Sequence, residues 1–168
     1  GAPPLDEGRS AEVALPFAFE LHRDPVTHLT LLSNGWVTFE EGYTGTAEFS
    51  APFFLPWPFD SVVGVAAPYW DDLVLNTLCM SSSSTELTVQ WDGYLYGPYD
   101  FDGTIVPVEF QLRLASSGNL EFIYGPNHLS DRDGYGFGRI IGTESLDGSF
   151  GQTVDESALP DTSVTLAP

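Results

Sequence analysis

The chain has 168 residues, and 24 acidic side chains stand against five arginines and no lysine, a formal net charge of −19. No lysine means no Schiff-base amine, no Walker-type phosphate clamp and no isopeptide crosslink, and so few arginines exclude a footprint for nucleic acid or an anionic membrane. The length suits one domain, and 42% hydrophobic with 14% aromatic residues excludes disorder over most of it.

Gly1 to Glu12 is polar and contains proline, and it reads as a flanking linker. Its Gly-Ala-Pro-Pro start reads as a mature-domain boundary, with any export signal removed upstream. Leu29 to Phe39 reads as two strands broken at Ser33-Asn34-Gly35, because Asn-Gly between apolar runs is the strongest short hairpin signal. Ala51 to Phe59 holds three prolines and four large aromatics, so it suits an extended loop over a hydrophobic edge. Val62 to Tyr69 is a continuous apolar run, as expected of a strand buried on both faces. Thr85 to Trp91 alternates, with Leu87, Val89 and Trp91 on one face. Val106 to Leu114 alternates too, Ser116 to Asn119 is a turn, and Leu120 to Tyr124 returns as the partner strand. Gly138 to Gly142 and Ser163 to Leu166 are shorter strand candidates. Asp155 to Pro168 reads as a second flank or an edge strand, which leaves one domain over residues 13–154.

No stretch keeps a helical apolar period for three turns, and no run approaches the ~20 apolar residues of a membrane span. The expected fold is therefore all-β, a single antiparallel β-sandwich with long loops rich in proline and aromatics. Cys79 is the only cysteine, so no intramolecular disulfide forms, and it reads as a partly buried or incidental thiol.

The order of these segments resembles a known family. Leu15-Pro-Phe-Ala-Phe19 precedes Leu29-Thr-Leu-Leu-Ser-Asn-Gly-Trp-Val-Thr-Phe39. Then follow Val65-Ala-Ala-Pro-Tyr-Trp-Asp-Asp-Leu73, Leu87-Thr-Val-Gln-Trp91, Val108-Glu-Phe-Gln-Leu-Arg-Leu114, Ser117-Gly-Asn-Leu-Glu-Phe-Ile-Tyr124 and Ile141-Gly-Thr-Glu144. This set resembles the nidogen-like (NIDO-like) extracellular β domain, a module common in large secreted bacterial proteins. The resemblance implies an extracellular or cell-surface, non-catalytic adhesion or interaction role, with an extracellular protein or glycan as partner. The segments Leu75 to Thr85 and Gly93 to Thr104 exceed the family pattern and read as loops that would carry individual function.

Three constellations could carry chemistry. Asp71 and Asp72 follow Trp70 at the end of the buried run; one is expected to accept backbone hydrogen bonds and close a turn, with a metal ligand as the sharper alternative. Asp100-Phe-Asp102-Gly103 and Asp131-Arg-Asp133-Gly134 alternate carboxylates before glycine. Calcium loops use that pattern, because the chain must turn sharply round a hard cation. Ordinary turn chemistry explains the same pattern. Trp91 to Asp102 is rich in aromatics, and Tyr94, Tyr96, Tyr99 and Asp100 would suit a sugar platform. The main alternative is thus a carbohydrate-binding module, stabilised by calcium and appended to a secreted enzyme. A stand-alone hydrolase is a further reading. The serines lack a nucleophile elbow and His22, His28 and His128 form no metal pair, so no catalytic residues are assigned.

Overall fold

Alternating apolar residues give this chain strands with one buried face, and two sheets result. A computed structural model describes residues 5–46, 54–56, 62–96, 106–125 and 139–154, and the backbone of 163–166. The strands are β1 (Val13–Leu21), β2 (Asp24–Leu32), β3 (Trp36–Thr38), β4 (Val65–Trp70), β5 (Leu73–Ser82), β6 (Glu86–Leu95), β7 (Pro107–Ala115), β8 (Leu120–Tyr124), β9 (Ile140–Glu144), β10 (Gly151–Thr153) and β11 (Ser163–Leu166). One sheet runs β1-β2-β3-β4-β9-β10 and the other β11-β8-β7-β6-β5. Neighbouring strands pair antiparallel throughout, and neither sheet closes on itself, so the fold is an all-β sandwich.

The main core lies between the sheets. Leu29, Leu31, Val37, Tyr69 and Ile141 from the first meet Leu87, Val89, Trp91, Phe110, Leu112 and Phe122 from the second. The sheets are also joined by side chains. Trp91 Nε1 donates to the Leu32 carbonyl at 2.9 Å, and Tyr124 Oη to the Pro68 carbonyl at 2.9 Å. The first sheet is covered on its other face too, where Leu32, Trp36, Val65, Ala67, Trp70 and Ile140 form a second cluster. Strand β4 lies between β3 and β9 with a core on either side, which explains its unbroken apolar run.

The segment Leu75 to Thr85, expected as a loop, is largely strand β5. It pairs with β6 as far as Ser82↔Leu87, and the Ser83 amide then donates to the Glu86 carbonyl at 2.8 Å to close the turn. Beyond Leu75 this edge strand is mostly exposed on both faces, so it has no apolar period to read. Gly93 to Leu95 likewise belongs to β6 rather than to a loop. A bulge between Leu75 and Thr77 faces Gly93, where a Cβ would lie 2.3 Å from the Val74 carbonyl oxygen.

The chain before β1 is hydrogen-bonded into the sandwich. Leu5 and Leu75 exchange both backbone bonds, at 2.9 and 2.8 Å. The Ser33 amide donates to the Gly8 carbonyl and the Ser10 amide to the Leu31 carbonyl. At the other end, β11 pairs with β8 as an edge strand.

Candidate functional site

The Ser33-Asn34-Gly35 turn joins β2 to β3 and docks on the β4–β5 connection. Gly35 has φ +82°, and its carbonyl accepts the Tyr69 amide at 3.2 Å. The Asn34 carbonyl accepts the Asp71 amide, and Asn34 Oδ1 accepts the Leu73 amide at 3.0 Å. Asn34 Nδ2 donates to Glu7 Oε1 at 3.2 Å. One buried asparagine therefore fixes the N-terminal segment, its own turn and the start of β5 together.

Two acids at that connection play different parts. Asp71 Oδ1 accepts the Asp72 amide at 2.8 Å, so Asp71 is the turn-closing carboxylate anticipated from sequence. Asp72 is only 4% exposed, and no described residue donates a hydrogen bond to its carboxylate. Burial, then the charges of Glu7, Asp6 and Asp71, push its carboxyl up to about 7. Asp6, Glu7 and Asp72 each bring a carboxylate oxygen to within 4.8 Å of the others'. The result is a pocket of negative charge built only from oxygen donors, a chemistry suited to a hard cation or a shared proton.

Tyr94 and Tyr96 lie on the outer face of the second sheet, because their alternate neighbours Trp91, Gly93 and Leu95 face inward. Tyr94 is half-buried and Tyr96 is 49% exposed. The Tyr96 amide donates to the Asp72 carbonyl at 2.7 Å, which ties the end of β6 to the β4–β5 connection. Tyr99, Asp100, Asp102, Asp131 and Asp133 lie outside the described residues. Cys79 is exposed on β5 rather than partly buried.

Sequence reasoning missed Asp6 and Glu7, which sit in a segment read as a linker. Nothing in their spacing marks them, since their partner Asp72 is more than sixty positions away and the join is made by Asn34. The signal that was available is the Ser-Asn-Gly turn itself, whose asparagine serves more than the hairpin.

A family model described as NIDO related matches residues 2–167 of the chain, nearly its whole length. No curated protein and no solved structure matches it. The matched span takes in both sheets and the acidic segment before β1, in agreement with the ordered motifs described above. The chain belongs to the NIDO-related family.

Proposed function

We propose that the chain is a non-catalytic adhesion or interaction module within a larger secreted or cell-envelope protein. Membership in the NIDO-related family points to an extracellular-type module. The reading is carried by the outer edge of β5, unpaired beyond Leu75 among the described residues. From the closing bond at Ser83, alternation turns the backbone groups of Leu78, Met80 and Ser82 away from β6. No described residue pairs with that outer edge beyond Leu75. Residues 73–85 carry no charge, in a chain of net charge −19. Acidic or basic gatekeepers usually blunt such an edge, and here they are absent. An extended segment of an extracellular protein partner can add to it as a further strand, with backbone bonds giving affinity. A second reading, a carbohydrate-binding module, is favoured by the exposed Tyr96 beside Tyr94.

The test is a panel of extracellular-matrix-type proteins and a glycan array, probed with the parent chain, Met80→Lys and Tyr94→Ala/Tyr96→Ala. Protein binding lost in Met80→Lys supports strand addition. Glycan binding lost only in the tyrosine variant moves the assignment to the carbohydrate reading. Turnover of ester, glycoside or peptide substrates well above the buffer rate overturns the non-catalytic assignment.

A further inference from the structure

The chemistry of a buried carboxylate determines what the Asp72 pocket can hold. Ionised, Asp72 keeps little contact with water and has no hydrogen-bond donor of its own among the described residues. Such a group is costly unless a cation neutralises it. Arg113 on β7 is engaged with Glu86 and Glu121, and Arg9 gives its Nη1 to the Tyr43 carbonyl. Among the described residues, the charges that act on Asp72 are those of Glu7, Asp6 and Asp71, all of the same sign. Asp71 is turned back on its own chain, whereas Glu7 is aimed by the Asn34 amide.

We propose that Asp6, Glu7 and Asp72 form a site for a hard divalent cation, calcium by its ligand chemistry, that clips the N-terminal segment to the β4–β5 connection. All three donors are oxygens, with no histidine or cysteine to favour zinc. Calcium–oxygen bonds of roughly 2.3–2.6 Å place ligand oxygens up to about 5 Å apart, a sphere that holds three oxygens within 4.8 Å of one another. Magnesium, with bonds of roughly 2.0–2.1 Å, demands a tighter shell. Asp6 and Glu7 are exposed, so the ion has a path in and water can complete its coordination. Asp72 anchors the ion from the folded body, and Asp6 and Glu7 close over it from a segment held there by the Leu5–Leu75 bridge, the Ser33 contacts and the Asn34–Glu7 bond.

The experiment uses the full chain stripped with chelator, then titrated with calcium chloride alone or magnesium chloride alone. Melting temperature, calorimetric binding and amide exchange over residues 5–10 are followed together. A saturable rise in melting temperature and slowed exchange in that segment are expected with calcium, and a weaker response with magnesium. Asp72→Asn should weaken calcium binding roughly tenfold or more and abolish the protection of residues 5–10. The surface double variant Asp6→Asn/Glu7→Gln should do the same, and it covers the case in which Asp72→Asn misfolds. Asp131→Asn/Asp133→Asn and Asp100→Asn/Asp102→Asn should leave the protection intact. A parent chain that ignores calcium, or protection that survives Asp6→Asn/Glu7→Gln, overturns the proposal.

Discussion

Asn34 Oδ1 accepts the Leu73 amide at 3.0 Å, and both residues are buried. That bond joins the β2–β3 turn to the first residue of β5, so two segments far apart in sequence share one rigid corner. Asn34→Ala removes the acceptor and leaves a buried N–H without its partner, which costs about 1–3 kcal/mol. A urea midpoint unchanged from the parent would show that the corner contributes nothing to stability. The same variant also releases Glu7, so exchange over residues 5–10 should rise even where the global midpoint falls only modestly.

Gly35 tests the same corner by sterics. Its φ is +82°, and a Cβ there would lie 1.9 Å from the Tyr69 carbonyl oxygen. Gly35→Ala must therefore move backbone, not a flexible side chain, and it combines left-handed strain with a lost docking surface. A destabilisation of at least about 2 kcal/mol in urea unfolding is expected. For contrast, Gly42 also has positive φ but meets nothing within 4 Å, so Gly42→Ala should cost only its conformational strain, about 1 kcal/mol.

The sandwich was legible because its signals are local. Asn34-Gly35 sets a hairpin, the alternation of Val108, Phe110, Leu112 and Leu114 sets a face, and the run from Val65 to Trp70 sets a strand between two cores. Strand β5 was not legible past Leu75, because a strand exposed on both faces carries no period and its serines imitate a loop. The Asp6, Glu7 and Asp72 cluster escaped for a different reason. It is made by tertiary pairing, through the Leu5–Leu75 bridge and the Asn34 amide, and neither is written in the spacing of the acids. Asp71 and Asp72 were both visible as candidates, yet only the structure separates the turn-closing acid from the buried one.

Removing the buried charge should stabilise the metal-free chain. In chelator, the Asp72 carboxyl sits at about 7, above its ordinary value of 3.8, through burial and the charges of Glu7, Asp6 and Asp71. Between those two values the folded chain holds a proton that the unfolded chain has released. Stability therefore falls as pH rises through that window, and the penalty is complete above about 7. Asp72→Asn should raise the melting temperature of the chelated chain at pH 8 and change it little at pH 4. An equal shift at both values would mean that packing, not charge, decides the effect.

His22 should act with the opposite sign. It occupies the two-residue β1–β2 turn, its Nε2 lies 2.9 Å from Thr143 Oγ1, and its ring meets Phe150 edge-on at 4.9 Å. Burial lowers its pKa below 6.5, and the Asp24 carboxylate only partly offsets this. Above 6.5 both the folded and unfolded chains carry a neutral ring. As pH falls below 6.5 the unfolded chain takes up the proton first, so stability declines. The gap in urea midpoint between the parent and His22→Gln should shift against the parent from pH 7.5 to pH 5. A gap independent of pH would remove the imidazole from the account.

Tyr124 and Trp91 give the cleanest measure of how the two sheets hold together. Each donates one hydrogen bond from the second sheet to a backbone carbonyl of the first, Tyr124 to Pro68 and Trp91 to Leu32. Tyr124→Phe removes the hydroxyl with little change in shape, so the loss should stay near the value of one buried hydrogen bond, about 1–2 kcal/mol. Trp91→Phe removes the donor and also opens space between Phe110 and the facing sheet, since the two rings stack at 5.3 Å. Its cost should reach about 3 kcal/mol or more, because a cavity adds to the lost bond. Both residues flank Phe110, which pairs with Trp91 on one side and Tyr124 on the other, so the double variant should depart from additivity by about 0.5 kcal/mol or more. A strictly additive double variant would instead mean that each bond acts alone, with nothing transmitted through Phe110.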